Sequence, residues 1–126
     1  MNSQEIRDKH KKHLFEAVKN FYQEPVVITE AKGTRVSDMD GNSYLDFFGG
    51  ILTVSVGHAN EEVNDAVIAQ VNHLTHISSL YPTVPVVELA ERLARIAPGN
   101  LEKVFLNASG TEANETAVMM AQLYSG

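Results

Sequence analysis

Apolar and polar positions divide the chain into two regimes. Between Val26 and Phe47 the apolar residues come in short runs broken by turn residues. Val26-Val27-Ile28, Lys32-Gly33, Arg35-Val36, Asp40-Gly41-Asn42 and Tyr44-Leu45-Asp46-Phe47 follow one another in that order. Short β-rich runs separated by Gly-containing turns predict a small antiparallel meander. From Asn60 the period lengthens to that of a helix. Asn60 is a good N-cap, Glu61 and Glu62 fill the first turn, and Val63, Val67, Val71 and Leu74 make an apolar stripe. A further helix takes Pro85 in its first turn and buries Val86, Leu89, Ala90, Leu93 and Ala97. It sets Glu88–Arg92 and Glu91–Arg95 as i,i+4 pairs on its exposed side and ends at Pro98-Gly99. Ahead of the meander, Ser3 to about Phe21 reads as an amphipathic helix with Ile6, Leu14, Ala17, Val18 and Phe21 on one side, stopped by Pro25.

After the helices comes Val104-Phe105-Leu106, short and apolar as a buried strand should be. The turn Asn107 to Asn114 leads into a last helix with Ala113, Ala117, Met120, Ala121 and Tyr124 on one face. One strand followed by a helix is the opening of an α/β sheet, and one buried strand cannot make a sheet alone. The expectation is therefore that these residues are the front part of a longer α/β protein.

Composition changes this picture only by exclusion. Ten Lys/Arg stand against sixteen Asp/Glu in 126 residues, a formal net charge of -6, where a nucleic-acid or anionic-membrane binder would carry a basic excess. The cluster Lys9, Lys11 and Lys12 reads as the solvated face of a helix. With no cysteine there is no disulfide, thiolate metal site or cysteine nucleophile. The N-terminus has no apolar region behind its charges, and the longest apolar stretch, Phe47 to Val56, is too short to span a bilayer. A soluble, cytoplasmic protein is expected.

Among candidate sites the strongest is Ser109-Gly110-Thr111-Glu112, between strand and helix. Ser109 can cap the helix while Glu112 reaches back to the cap. Gly110 admits a bound group close to the backbone. Thr111 adds a hydroxyl where free N–H groups and the helix dipole favour an anion, so a phosphate fits. A helix cap with no ligand explains the same residues, because capping boxes are common. There is no Walker-type loop. Asp38 to Asn42 is a hairpin turn and not a calcium loop, because its Gly is fourth where an EF-hand needs it sixth. The i,i+3 pairs His10/His13 and His73/His76 lack a third ligand in register, and His58 suits a loop-stabilising hydrogen bond.

At this point a family resemblance enters. Val36 to Phe47 resembles the "vwDvDGnrYlDf" stretch of class-III aminotransferases, pyridoxal-phosphate enzymes of fold type I. Gly50-Ile51 to Gly57-His58 is similar to their "sGi…GH" segment, Glu88 to Leu93 to their "eLaerL" helix, and Asn107 to Glu115 to their "nSGtEANE" cofactor turn. These segments run in the family's order from about Val26 to Gly126, and Phe47 to His58 looks most like the alanine–glyoxylate branch. The departures are small: an extra Ala108 before Ser109-Gly110, Met119 where many members have Lys, and Asn60-Glu61 in place of "hP".

The resemblance implies an α/β fold of type I. Residues 1–50 would be the N-terminal helix and meander of the small domain, and 51–126 the incomplete opening of the large domain. It implies pyridoxal 5'-phosphate as cofactor, with Ser109, Gly110 and Thr111 at its phosphate and Asn114 beside it. Ile51 and Leu52 would face the substrate pocket, and Ser79 and Tyr81 would lie near a homodimer interface and its active sites. An amino group would move from an amino donor to a 2-oxo acid such as glyoxylate or pyruvate. The family's chemistry also needs a Schiff-base Lys, an Asp at the pyridinium nitrogen and a stacking aromatic, all far downstream of the cofactor turn. None of Lys9, Lys11, Lys12, Lys19, Lys32 or Lys103 sits in the matching context, so residues 1–126 alone are expected to be inactive. The rival expectation is a non-catalytic binding or assembly module that keeps the opening of the fold. A family member with a racemising or decarboxylating outcome would share every residue named here.

Overall fold

The computed structural model describes residues 1–18 and 20–126, so Lys19 lies outside the described residues. The chain divides into two compact units, Met1–Thr75 and His76–Gly126, each taken in turn.

The first unit begins with α1, Ser3–His13. Its start is fixed by a reciprocal cap: Oδ1 of Asn2 accepts from the Glu5 amide at 2.9 Å, and the Asn2 amide donates to Oε2 of Glu5 at 3.1 Å. His10, Lys11, Lys12 and His13 occupy the last turn, where the helix dipole favours cations. The helix ends there, short of the expected Phe21: Leu14 is extended, with ψ 144°. The apolar residues beyond it, Phe15 and Phe21 among them, are exposed. Packing carries most helices in proteins, and the described large apolar side chains of this stretch are half or more exposed.

The meander forms as expected. Strands β1 (Ile28–Lys32), β2 (Arg35–Asp38) and β3 (Ser43–Leu45) make a three-stranded antiparallel sheet in the order β1-β2-β3. Lys32 pairs with Arg35 across the two-residue turn Gly33-Thr34, and Val36 pairs with both Ala31 and Tyr44. The register shifts between Ile28 and Glu30, so the first strand carries a bulge. Four residues, Met39 to Asn42, connect β2 to β3, and Gly41 takes the left-handed conformation with φ +87°.

Beyond β3 lies α2, Gly49–Leu52, which no periodicity announces. This single turn is left-handed: Gly49, Gly50, Ile51 and Leu52 all have positive φ, between 53° and 63°. The helix α3, Glu61–His73, follows from Asn60, whose side chain accepts from the Val63 amide at 3.1 Å as the N-cap pattern predicts.

In the second unit, α4 spans Val84–Ile96 with Pro85 in its first turn, and α5 spans Gly110–Ser125. Of the two expected surface pairs on α4, Glu91–Arg95 is made, at 2.6 Å; Glu88–Arg92 is not found among the described ion pairs. Val104-Phe105-Leu106 is not a strand here, and Phe105 is 71% exposed. A strand is defined by its ladder, and no second strand lies in this unit to supply one. The segment runs beside α5, where Val104, Phe105 and Asn107 share a groove with Ala113, Thr116 and Met120.

Among the described residues no hydrophobic side chain is buried; Ser3 and Asp38 are the two buried residues. The expected apolar faces exist but stand open. Val63, Val67 and Val71 on α3, Val86 and Leu89 on α4, and Met120 and Tyr124 on α5 are all exposed. The periodicity that places these residues on one side of each helix is as predicted, and what is missing is a surface to cover them.

Candidate functional site

The turn into α5 assembles the residues expected at the phosphate. Ser109 is extended and caps the helix: its Oγ accepts from the Glu112 amide at 3.3 Å. The second half of the expected capping box is made differently. The Glu112 carboxylate does not return to the Ser109 amide; its Oε2 accepts from the Ser109 hydroxyl at 3.1 Å. The first helical carbonyl-to-amide bond runs from the Ala113 amide to the Ser109 carbonyl at 3.0 Å. Among the described residues the amides of Gly110 and Thr111 therefore have no acceptor, the ordinary state of a first helical turn. A Cβ placed on Gly110 would have no atom within 4 Å, so the space over that amide is open. Asn114 lies four residues after Gly110 and so on the same face of α5.

This geometry fits a phosphate. Two amides point out of the start of a sixteen-residue helix, whose dipole is positive there. The Thr111 hydroxyl belongs to the same turn. The one acid in that turn, Glu112, is already engaged by Ser109. Asn107 braces the approach, its Nδ2 reaching Oγ1 of Thr116 at 3.5 Å. Ser79 and Tyr81, also in this unit, sit in the loop before α4, and the Tyr81 amide donates to the Ser78 carbonyl at 3.0 Å. Their side chains are exposed.

In the first unit, Ile51 and Leu52 stand together on α2. The turn is closed by the Leu52 amide to the Phe48 carbonyl at 3.2 Å and the Thr53 amide to the Gly49 carbonyl at 2.9 Å. Both side chains are exposed, with Leu52 at 86%. A left-handed turn disfavours residues with a Cβ, and the β-branched Ile51 most of all. Gly50 is there for a second reason, since a Cβ on it would lie 2.7 Å from Oγ1 of Thr53, which donates to the Gly50 carbonyl.

Two carboxylates that the sequence left without a partner organise this unit. Asp38 accepts from the Asp40 amide, the Asn42 amide, the Asn42 side chain and the Tyr44 hydroxyl, at 2.7 to 3.0 Å. The Asn42 side chain and then the Tyr44 hydroxyl do most to lower its pKa from 3.8 to about 2. Asp40 in turn accepts from the buried Ser3 hydroxyl at 2.5 Å and so ties α1 to the β2–β3 turn. Asp46 takes the amides of Phe48 and Gly49 on Oδ1, both at 2.9 Å, and Nε2 of His58 on Oδ2 at 2.6 Å. The His58 ring first, then the Gly49 and Phe48 amides, hold the Asp46 carboxyl below its ordinary range. The loop-stabilising hydrogen bond expected of His58 is thus present, and its partner is Asp46. Spacing could not have named that partner, twelve residues away across an irregular loop.

The family model for aminotransferase class-III matches residues 17–126. The mitochondrial alanine–glyoxylate aminotransferase 2 of Pongo abelii is 42% identical over 116 residues, which is 92% of this chain and 23% of that protein. The acetylornithine aminotransferase of Methanothermobacter thermautotrophicus is 38% identical over 126 residues, 100% of this chain and 31% of that one. The crystal structure of the ω-transaminase of Pseudomonas jessenii in complex with PMP superposes with a TM-score of 0.79 at 33% identity. That match covers 90% of this chain and 26% of the other. The chain thus spans between 23% and 31% of the length of these three proteins. A match to the family model over residues 17–126, with the α/β fold of its transaminases, makes this chain a member of the class-III aminotransferases.

Proposed function

We propose that the protein to which these residues belong is a pyridoxal-phosphate-dependent transaminase that moves an amino group from an amino donor to a 2-oxo acid. One observation supports this above the others. In a chain of this family, the Ser109-capped start of α5 offers the free amides of Gly110 and Thr111 beneath open space. Pyridoxal phosphate, when bound, supplies the electron sink that lets the amino group leave one substrate and join another. The chain's own part is to hold and orient. Gly110 and Thr111 bind the phosphate through their amides and the Thr111 hydroxyl. Ser109 keeps the turn in shape, and Asn114 would stand beside the cofactor. Ile51 and Leu52 form an apolar wall of the substrate pocket, while Ser79 and Tyr81 lie near its entrance at the interface of a homodimer.

In this reading residues 1–50 belong to the small domain and 51–126 open the large one. The open apolar faces of α3, α4 and α5 are covered by the remainder of the fold and by the second subunit. The Schiff-base lysine, the pyridinium aspartate and the stacking aromatic come from outside residues 1–126, so this portion alone is inactive. The acceptor is glyoxylate or pyruvate, in keeping with the likeness of residues 47–58 to the alanine–glyoxylate branch; acetylornithine aminotransferases among the relatives make acetylornithine the rival donor. We infer a cytoplasmic location, whereas the Pongo abelii relative is mitochondrial.

The test is to reconstitute the complete protein with pyridoxal phosphate and assay alanine with glyoxylate against acetylornithine with 2-oxoglutarate. Cofactor uptake, seen as visible absorbance, together with glycine formed from glyoxylate is the expected result. A complete protein that takes up no cofactor overturns the transaminase reading and leaves the non-catalytic module in its place. Uptake with turnover of acetylornithine alone overturns the glyoxylate assignment.

A further inference from the structure

The left-handed turn α2 is strained, and the structure shows what holds it. Four consecutive residues have positive φ, two of them Ile51 and Leu52, whose side chains make that conformation unfavourable. Such a turn persists only where its surroundings over-determine it. Beyond the turn's own backbone bonds and the Thr53 hydroxyl on the Gly50 carbonyl, the group that holds it is Asp46. Oδ1 takes both amides that enter the turn, from Phe48 and Gly49, while Oδ2 is held by Nε2 of His58. A carboxylate accepts only, so Nε2 carries the proton in this bond. Both partners are themselves anchored to the β1–β2 turn. The Asp46 amide donates to the Thr34 carbonyl at 2.9 Å. His58 exchanges two backbone bonds with Gly33, at 2.8 and 2.9 Å. Gly57 permits that approach, since a Cβ there would come within 3.3 Å of the Gly33 Cα. Residues 46–58 therefore form a closed loop with a rigid stem and with Ile51 and Leu52 at its tip.

We propose that His58, acting through Asp46, is a positioning residue for substrate specificity: the pair fixes the left-handed turn that presents Ile51 and Leu52 to the substrate. This rests on the substrate-pocket role given to those two residues above. Neither Asp46 nor His58 touches substrate or cofactor in this account. Their effect is to keep an apolar wall in one place, which shows in substrate KM and not in the chemical step.

Three variants of the complete, cofactor-loaded protein test this. His58→Ala removes the ring. His58→Gln carries an amide nitrogen at the reach of Nε2 and can still donate to Asp46. His58→Asn keeps a polar side chain that stops short, and guards against the chance that the alanine variant fails to fold. Two readouts are taken: hydrogen exchange of the amides of residues 48–54, and amino-donor KM alongside kcat. The expected result is faster exchange and a KM raised about tenfold in the alanine and asparagine variants, on the scale of one lost charged hydrogen bond. Cofactor uptake and kcat stay near the parent's, and the glutamine variant recovers both readouts. Unchanged exchange overturns the inference, as does faster exchange at unchanged KM, which would make the pair merely structural. A glutamine variant as impaired as the alanine variant also overturns it. Failure of the functional reading is distinguishable, because it shows in the parent protein as absent cofactor uptake before any variant is made.

Discussion

The Tyr44 hydroxyl donates to Oδ2 of Asp38 at 2.7 Å, across the turn that joins β2 to β3. That carboxylate gathers four donors, and one of its neighbours in the turn, Asp40, carries the link to α1. Asp38→Ala in the complete protein is expected to lower the thermal midpoint by several degrees, because the turn loses its common acceptor. Tyr44→Phe removes one donor of the four and is expected to cost less. Thermal unfolding of the two variants side by side checks the order.

The same carboxylate predicts an acid response. Its pKa is about 2 in the fold against an ordinary 3.8. A depressed carboxyl stabilises the folded state above its unfolded pKa, and that contribution fades as pH falls from about 4 towards 2. Asp46 is lowered too and adds a loss of the same sign in acid. Tyr44 is raised above 10.0, so its contribution is complete below that pH and fades in stronger alkali. Midpoints measured from pH 6 down to pH 2 are expected to fall less steeply in Asp38→Asn, which has no carboxyl to protonate, than in the parent.

Gly57 has φ +88° and lies against the Gly33 backbone. Alanine there meets both a disfavoured conformation and a backbone neighbour. Gly57→Ala is expected to destabilise the protein by about 1–3 kcal/mol. Hydrogen exchange at the Gly33 and His58 amides, which bond each other's carbonyls, should quicken together. An alanine variant with parental exchange at both would contradict this account of the loop stem.

At the turn proposed to hold the cofactor, Ser109 and Thr111 are expected to separate stability from binding. Ser109→Ala loses the N-cap of α5, about 1 kcal/mol of stability, and weakens pyridoxal phosphate by disordering the turn. Thr111→Val keeps the cap and the shape and removes one hydroxyl, so its midpoint without cofactor should match the parent's. Its affinity for pyridoxal phosphate should fall about tenfold, the scale of one hydrogen bond to a charged group. Cofactor titration and unfolding of the cofactor-free protein, both variants in parallel, provide the check.

The Glu91–Arg95 pair on α4 is short, at 2.6 Å, but exposed at both ends. Its coupling in a double-mutant cycle is expected to stay below about 0.5 kcal/mol and to shrink with added salt.

Much of this was legible in the sequence because it is local. Asn60, Pro85 and Ser109 announce their helices through groups only a few residues away, and the Gly33 and Gly41 turns set the meander. The capped start of α5 was legible for the same reason, Ser109 and Glu112 lying three residues apart. What could not be read depends on distant partners. The helix beginning at Ser3 stops at His13, short of Phe21, because its length depends on packing that the pattern merely promises. Val104 to Leu106 has the composition of a buried strand, yet a ladder needs a second strand. The partners of Asp38 and Asp46 and the left-handed sense of α2 arise when a loop closes on itself. No periodicity reports closure.

The bond between Ser3 and Asp40 spans 37 residues and is the one side-chain tie from α1 to the meander among the described hydrogen bonds. It also has a direction in time. Ser3 leaves the ribosome first and Asp40 follows about 2–7 s later, at roughly 5–20 residues per second. An eleven-residue helix is marginal alone in water. During that interval α1 is a helix in the making, held by local contacts alone, among them the Asn2–Glu5 cap and the bonds of Gln4 with Asp8 and Arg7. Its apprenticeship ends when the β2–β3 turn emerges and Asp40 arrives to accept the Ser3 hydroxyl, so the turn that folds later is what completes the segment made first.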